Sequence, residues 1–211
     1  MIRLLTVLLP VSLRKGVYFM SELPEVEKDL HHCLAVLQAG GLILYPSDTI
    51  WGIGCDATNE SAVKKIFELK QRPDSKALIV LVAEPKDILR YTSQPDLSVL
   101  DHLKTKQKPT TVIYEGAIGF APNLVAPDGS VAIRITADPF CRHLIKRFRK
   151  PLVSTSANVS GEQPPAFFLA IDGKIKNGVG YIVQYRQQET EPARPSSVIK
   201  WVNGREVIIR P

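Results

Sequence analysis

The sequence has few of the residues from which metal sites, disulfide frameworks and hydrolytic triads are built. Its 211 residues include three cysteines and four histidines. Cys33, Cys55 and Cys141 lie far apart and form no C-x-x-C pair, which argues against a zinc site or a disulfide framework and favours a reducing compartment. No histidine stands beside a candidate nucleophile or at metal-ligand spacing. We therefore interpret the histidines as surface or structurally satisfied residues.

The sequence also lacks the motifs of common nucleotide-binding and hydrolytic folds. It contains neither a G-x-x-x-x-G-K-[ST] phosphate loop nor a G-x-S-x-G elbow. It has no internal repeat, no low-complexity tract and no linker rich enough in Gly, Ser or Pro to divide the chain. These absences favour a single domain with a less familiar site.

The first apolar run is a poor export or membrane signal. Leu4 to Leu13 is too short to span a bilayer, contains Pro10 and is followed by two cations without a small-residue cleavage pattern. We therefore expect a cytoplasmic protein without a membrane partner. Met20 is a candidate start, so we expect residues 1–19 to be an N-terminal extension to which no role is assigned, and residues 20–211 to be the folded domain.

Composition is that of an ordinary globular protein with a modest basic excess. The chain is 45% hydrophobic and 23% charged, with a formal net charge of +6. Disorder, collagen and coiled coil are excluded on this composition. The charge favours anionic partners such as nucleotides or RNA.

Hydrophobic periodicity predicts an α/β fold. Helices are expected at about 22–39 and near 85–90, 97–104 and 139–148. A further helix, marked by Val63, Ile66 and Phe67, is expected to end at Lys70. Strands are expected at 42–45, 77–83, 110–114, 130–135 and 152–155. Near the end of the chain, Asn203-Gly204 separates two apolar runs and fits a type I′ hairpin turn. The hairpin makes the predicted sheet mixed rather than purely parallel.

Four polar clusters stand at the predicted ends of these elements, where α/β folds place their sites. They occupy 45–54, 70–76, 154–161, and 194–197 together with 210–211. Each also has a purely structural interpretation as a capped turn, a solvated helix end, an Asx turn or a polar chain end. Together they are rich in Lys, Arg, Ser, Thr and Asn but poor in His and paired carboxylates. This inventory favours nucleotide positioning over hydrolysis.

Two of the clusters contain motifs of a known family. Lys70-Gln71-Arg72 and Ser156-Ala157-Asn158 resemble the K-x-R and S-x-N motifs of the YrdC-like threonylcarbamoyladenylate synthases. The runs P-S-D-T-I-W-G-I-G, V-A-I-R-I and P-S-S-V-I are similar to other blocks of that family, and the resemblance covers about residues 22–211 in the family's order. It implies the YrdC-like fold: a single α/β domain with a twisted mixed parallel/antiparallel sheet, flanking helices and a concave basic site.

The resemblance also implies an activity. Members of the family are nucleotidyltransferases that make threonylcarbamoyl-AMP and pyrophosphate from L-threonine, bicarbonate and ATP. The product serves the N6-threonylcarbamoyl modification of tRNA adenosine 37, which implies handover to a threonylcarbamoyl transferase complex. Mg²⁺ would be carried by ATP without protein ligands, and the resemblance is to the short form of the family, without the extra C-terminal domain of longer members.

Site residues follow from the resemblance residue by residue. The positions implied near L-threonine are Thr49, Arg134, Ser156 and Ser196, with Arg134 facing the carboxylate. Those implied around ATP are Arg72, Lys76, Ser130, Asn158 and Arg210. Lys70 and Arg72 are the expected catalytic cations, and Lys70 would also lie beside ATP.

Three parts of the sequence depart from the family's pattern. The block usually written P-G-P-x-T is Gln107-Lys108-Pro109-Thr110-Thr111, which affects the expected loop shape. Leu81 stands where many relatives have a histidine, so a threonine contact from that position is not expected. Ser47 replaces a more usual threonine.

Two other functions compete with the synthase. The first is a non-catalytic module for double-stranded RNA or tRNA, because relatives have been linked to such binding and five cations lie between Arg142 and Lys150. Such a module would bind in a salt-dependent way and would ignore threonine and ATP. The second is a carbamoyl-adenylate enzyme that uses carbamoyl phosphate. The lysine and S-x-N blocks favour the synthase over both.

Overall fold

A nine-stranded sheet with six α-helices forms the described part of the protein. The structure is a computed structural model, and it describes residues 24–73, 77–93 and 95–211. The helices are α1 (Pro24–Gln38), α2 (Glu60–Lys70), α3 (Ile88–Tyr91), α4 (Val99–Lys104), α5 (Pro139–Phe148) and α6 (Gly173–Asn177). The strands are β1 (Ile43–Tyr45), β2 (Gly52–Gly54), β3 (Ile79–Val82), β4 (Thr110–Tyr114), β5 (Val131–Ile135), β6 (Leu152–Ser156), β7 (Tyr181–Ile182), β8 (Ser197–Val202) and β9 (Arg205–Arg210).

The sheet is mixed, as predicted. Its order is β7-β1-β2-β6-β3-β5-β4-β8-β9. Three neighbouring pairs run parallel, namely β1 with β7, β3 with β5, and β4 with β8, and the other five run antiparallel. Because β6 and β5 flank β3, the chain segments that carry the S-x-N and V-A-I-R-I motifs are brought beside the strand that follows the lysine block.

Local sequence signals explain the longer helices. On α1, Val26, Leu30, Cys33 and Leu37 recur at helical spacing and are all buried. The carboxylate of Asp138 accepts a hydrogen bond from the Cys141 N–H at 2.8 Å and so caps α5 at its N-terminus. These two helices pack against each other, with α5 also contacting β3.

The predicted hairpin is confirmed by its backbone. Asn203 and Gly204 have φ angles of 50° and 72°, in the left-handed region that a type I′ turn requires. They join β8 and β9, which pair antiparallel. The hairpin places Arg210 beside Val198 at the end of β9.

Some predicted boundaries were wrong for local reasons. Ser130 does not belong to β5, because its N–H donates to the Asp128 carboxylate at 3.0 Å in a turn. The helical segment expected near 85–90 is confirmed, although it begins as a 3₁₀ turn, Pro85–Asp87, and continues as α3. The strand expected at 77–83 is confined to β3, although its flanking apolar residues are buried.

The residues that the structure describes begin at Pro24. The expectations about Met20 and residues 1–19 concern residues outside the described ranges. Within the described ranges, no helix is both long and apolar enough to span a bilayer.

Candidate functional site

A cavity of about 300 Å³ opens where the ends of several strands meet. Its lining includes three arginines, Arg72, Arg134 and Arg210. Hydroxyl side chains surround them, namely Thr49, Ser154, Thr155, Ser156 and Ser196. Among the described residues that line this cavity there is no carboxylate. The cavity is therefore a cationic, hydrogen-bonding site suited to an anionic ligand.

Small side chains on neighbouring strands make room for the cavity. Gly52 on β2, Ser154 on β6 and Ala132 on β5 contribute to its lining. A Cβ added at Gly52 would lie 3.3 Å from the Ser154 Oγ, so even alanine there would crowd this wall. Because side chains alternate along a strand, Ala132 and Arg134 face the same side of β5.

Arg134 is the most deeply held of the three arginines. Its side chain is only 4% exposed. One terminal nitrogen donates to the Thr49 hydroxyl at 3.0 Å, and the other pairs with the Asp48 carboxylate at 3.2 Å. The guanidinium is thus fixed in place before any ligand arrives.

The loop that supplies Asp48 and Thr49 is organised by its own polar groups. The Ser47 hydroxyl donates to the Ile50 carbonyl at 2.9 Å and accepts from the Thr49 N–H at 3.2 Å. The second carboxylate oxygen of Asp48 accepts from the Ala137 N–H at 3.0 Å. The P-S-D-T sequence therefore forms a turn in which Asp48 bridges β5 and the segment leading into α5.

Arg210 and Ser196 form a second anchored pair. Arg210 donates to the Ser196 carbonyl at 2.8 Å, and the hydroxyl of Ser196 lies 2.9 Å from the Thr111 hydroxyl. Burial lowers the pKa of Arg210, and the charge of Arg134 lowers it further. Both guanidinium groups line the same cavity, so their like charges repel each other there.

Arg72 enters the cavity from the end of α2. Gln71 adopts a left-handed conformation with φ of 50°, and the Arg72 N–H donates to the Phe67 carbonyl at 2.9 Å. The guanidinium donates to the Ala77 carbonyl at 2.7 Å, and burial lowers its pKa. The helix cap thereby directs Arg72 toward the cavity. Lys76 lies outside the described residues.

Lys70 is buried rather than presented to the cavity. It is 1% exposed, and its ammonium donates to the carbonyls of Ser156 and Asn158, the latter at 2.5 Å. Burial lowers the pKa of Lys70 to about 8, with a smaller contribution from the charge of Arg72. The K-x-R and S-x-N motifs are therefore hydrogen-bonded directly to each other.

Asn158 and Ser130 lie outside the cavity lining. The Asn158 amide donates to the carbonyls of Val159 and Glu162 at 2.8 and 2.9 Å, so it closes its own loop. Its side-chain oxygen is buried with no hydrogen-bond partner among the described residues. Ser130 lies in the turn before β5 and is buried.

The structure brings together most of the positions that the resemblance implies. Thr49, Ser156, Ser196 and the three arginines line one cavity, whereas Lys70, Ser130 and Asn158 do not. Leu81 is fully buried on β3 and pairs with Arg134 across the sheet. Asp48 belongs to the cluster at 45–54, for which the sequence indicates a capped turn and no ion pair. Its pairing with Arg134 joins positions 86 residues apart, which no local signal reports.

Comparisons with known proteins agree with this architecture. The family model Sua5_yciO_yrdC, described as telomere recombination, matches residues 35–211. A threonylcarbamoyl-AMP synthase of Stenotrophomonas maltophilia is 32% identical over 75% of this chain and 91% of its own length. A protein of the same name from Xanthomonas euvesicatoria is 37% identical, with the same coverage.

A solved structure shares the fold. The chain superposes on P. abyssi Sua5 complexed with L-threonine with a TM-score of 0.75 at 23% identity, over 88% of this chain. It spans 54% of the Sua5 chain, a little over half. This likeness places the nine-stranded mixed sheet and its flanking helices among known folds.

Proposed function

Because the chain belongs to the Sua5/YciO/YrdC family, we propose that it acts as a threonylcarbamoyl-AMP synthase. The reaction joins L-threonine, bicarbonate and ATP and releases threonylcarbamoyl-AMP, pyrophosphate and water. In class, this enzyme is a nucleotidyltransferase. The observation that carries the proposal is the single cavity in which three arginines and five hydroxyl side chains converge.

The cavity offers separate groups for the two charged substrates. Arg134 and Thr49 are already bonded to each other, and a guanidinium in this setting suits the carboxylate of L-threonine. Arg72 and Arg210 enter the cavity from a helix end and a strand end, and they suit the phosphate oxygens of ATP. Ser156 and Ser196 add hydroxyls on the threonine side.

The chemistry needs positioning more than an activated nucleophile. The threonine amine combines with bicarbonate to give a carbamate and water. A carbamate oxygen then attacks the α-phosphorus, and the bond to pyrophosphate breaks. The arginines would hold the two anions together and screen their mutual repulsion, which is the main barrier to their meeting.

Mg²⁺ belongs to the proposal as part of the MgATP substrate. No group of three or more His, Cys, Asp and Glu side chains within the described ranges is arranged to hold a metal ion. The cavity lining supplies arginines and hydroxyls instead. We therefore propose that the ion arrives bound to the phosphate oxygens of ATP, where it neutralises part of their charge.

The cellular role follows as a further part of the proposal. The labile adenylate would pass to a threonylcarbamoyl transferase complex that modifies tRNA adenosine 37. We place the reaction in the cytoplasm, because Cys33, Cys55 and Cys141 are buried free thiols of the kind found in reducing compartments.

The test is pyrophosphate release by the purified protein with each component omitted in turn. The complete mixture contains ATP, Mg²⁺, L-threonine and bicarbonate. Release that requires both threonine and bicarbonate would support the synthase. Release with carbamoyl phosphate in place of both would indicate the carbamoyl-adenylate enzyme. No release, with salt-sensitive tRNA binding retained, would indicate the RNA-binding module.

A further inference from the structure

Lys70 ties the end of helix α2 to the loop after β6. Its ammonium donates to the carbonyls of Ser156 and Asn158, and its own carbonyl accepts from the Ser160 N–H at 2.8 Å. Three hydrogen bonds from one residue therefore span the loop that carries the S-x-N motif. The Ala157 N–H donates to the Trp51 carbonyl at 3.2 Å and fixes the same loop to β2 from the other side.

The orientation of the Lys70 ammonium leaves little of it for a substrate. An ammonium has three N–H donors, and two of them are used by the loop carbonyls. The residue is 1% exposed and does not line the cavity, whereas Arg72 two residues later does. Ser156, whose carbonyl Lys70 holds, is itself part of the lining.

We propose that Lys70 is a positioning residue that fixes the backbone of residues 156–158 so that the Ser156 hydroxyl faces the cavity. It acts on the substrates through this loop rather than by contact with them. The consequence for binding rests on the proposed function, while the consequence for the loop itself does not.

The two roles that a lysine can have here predict different losses. A lysine that contacts the polyphosphate affects only ligands that carry phosphate. A lysine that positions the loop also affects the binding of L-threonine. This substrate has no phosphate, but the Ser156 hydroxyl is proposed to contact it. Threonine affinity is therefore the readout that separates the roles.

The first experiment measures the loop without any ligand. Hydrogen exchange at the amides of residues 157–160 is compared in the wild type and in Lys70→Met. Lys65→Met is the matched control, because Lys65 lies on the same helix and its ammonium donates to the Gly40 carbonyl at 2.7 Å, away from the cavity lining. We expect exchange about tenfold faster in Lys70→Met and unchanged in Lys65→Met.

Equal exchange in Lys70→Met and the wild type would overturn the proposal. If the methionine variant does not fold, Lys70→Leu is measured in its place, because its side chain has no hydrogen-bond donor and removes the same two bonds. This result does not depend on what the protein catalyses.

The second experiment is a double-mutant cycle for L-threonine, measured by calorimetry. The variants are Lys70→Met, Ser156→Ala and the two combined. We expect each single change to weaken threonine binding about tenfold. The double variant should bind threonine no more weakly than Lys70→Met, because a Ser156 hydroxyl that is already displaced contributes no binding that Ser156→Ala could remove.

Two outcomes of the cycle are contrary to expectation and differ in meaning. Unchanged threonine affinity in Lys70→Met, with weakened binding of inorganic pyrophosphate, would make Lys70 a phosphate contact and refute the positioning role. Absence of threonine binding by the wild type would instead count against the proposed function, and the exchange result would still decide the loop.

Discussion

The pair formed by Asp48 and Arg134 allows a quantitative test of how the cavity is built. In Asp48→Asn, the side chain keeps its shape but has one oxygen instead of two. One of the present oxygens accepts from the Ala137 N–H, and the other forms the ion pair with the Arg134 guanidinium. One of these donors must therefore meet an amide NH₂ group. The guanidinium also loses its counter-charge.

The expected cost follows from how deeply the pair is buried. The Arg134 side chain is 4% exposed and the Asp48 side chain 12%. Removal of one partner from a buried ion pair costs about 3–5 kcal/mol, and the partial exposure of Asp48 favours the lower figure. We expect the free energy of unfolding, measured by urea titration with far-UV circular dichroism, to fall by about 3 kcal/mol.

Asp101→Asn provides the matched control. Asp101 pairs with Lys104 at 2.7 Å, but these side chains are 83% and 77% exposed. Exposed pairs are worth little, so this variant should lose less than about 0.5 kcal/mol. A loss below about 1 kcal/mol for Asp48→Asn, close to that of the control, would refute the view that Asp48 compensates a buried charge.

Three further predictions concern the cavity and its supports. Arg72→Ala should slow pyrophosphate release about a hundredfold while it changes unfolding by less than about 1 kcal/mol, and an unchanged rate would refute the phosphate role. Gly54→Ala should destabilise the fold by about 2 kcal/mol, because its Cβ would lie 2.7 Å from the Tyr45 ring, whereas Gly173→Ala, with open space around it, should be nearly neutral in the same urea titration. Burial lowers the pKa of Lys70 to about 8, so above that pH the unfolded state binds more protons. Unfolding titrations should therefore show the wild type gaining about 3 kcal/mol over Lys70→Met between about pH 8 and 10.5, and parallel pH profiles would contradict this sign.

Local signals predicted the elements that local chemistry determines. Helix α5 begins and ends where Pro139 and its apolar spacing predict, and Asn203-Gly204 forms the expected turn. The sequence contains no turn or periodic pattern that predicts strand β7. Its two residues become a strand because they pair with β1, a contact across the chain that periodicity does not report.

The candidate site shows the same division between local and long-range information. In the sequence, Lys70 and Arg72 are equivalent cations on one polar segment. In the structure, the left-handed Gln71 turns the chain between them, so one ammonium is buried against loop carbonyls and one guanidinium lines the cavity. Residue type was sufficient to find the cluster, but the backbone conformation decides which cation meets the ligand.

The electrostatics of the cavity link its ligand to the stability of the fold. Arg72, Arg134 and Arg210 line one cavity, where burial lowers the pKa of Arg210 and the charge of Arg134 lowers it further. The ligand-free fold therefore holds like charges together, a cost that a bound polyphosphate removes. A ligand that binds only the folded state stabilises it by about 2.7 kcal/mol at a hundred times its Kd. In urea titrations with and without pyrophosphate, replacement of Arg210 by methionine should accordingly abolish most of the stabilisation by the ligand, and an undiminished stabilisation would contradict the role of Arg210 in phosphate binding.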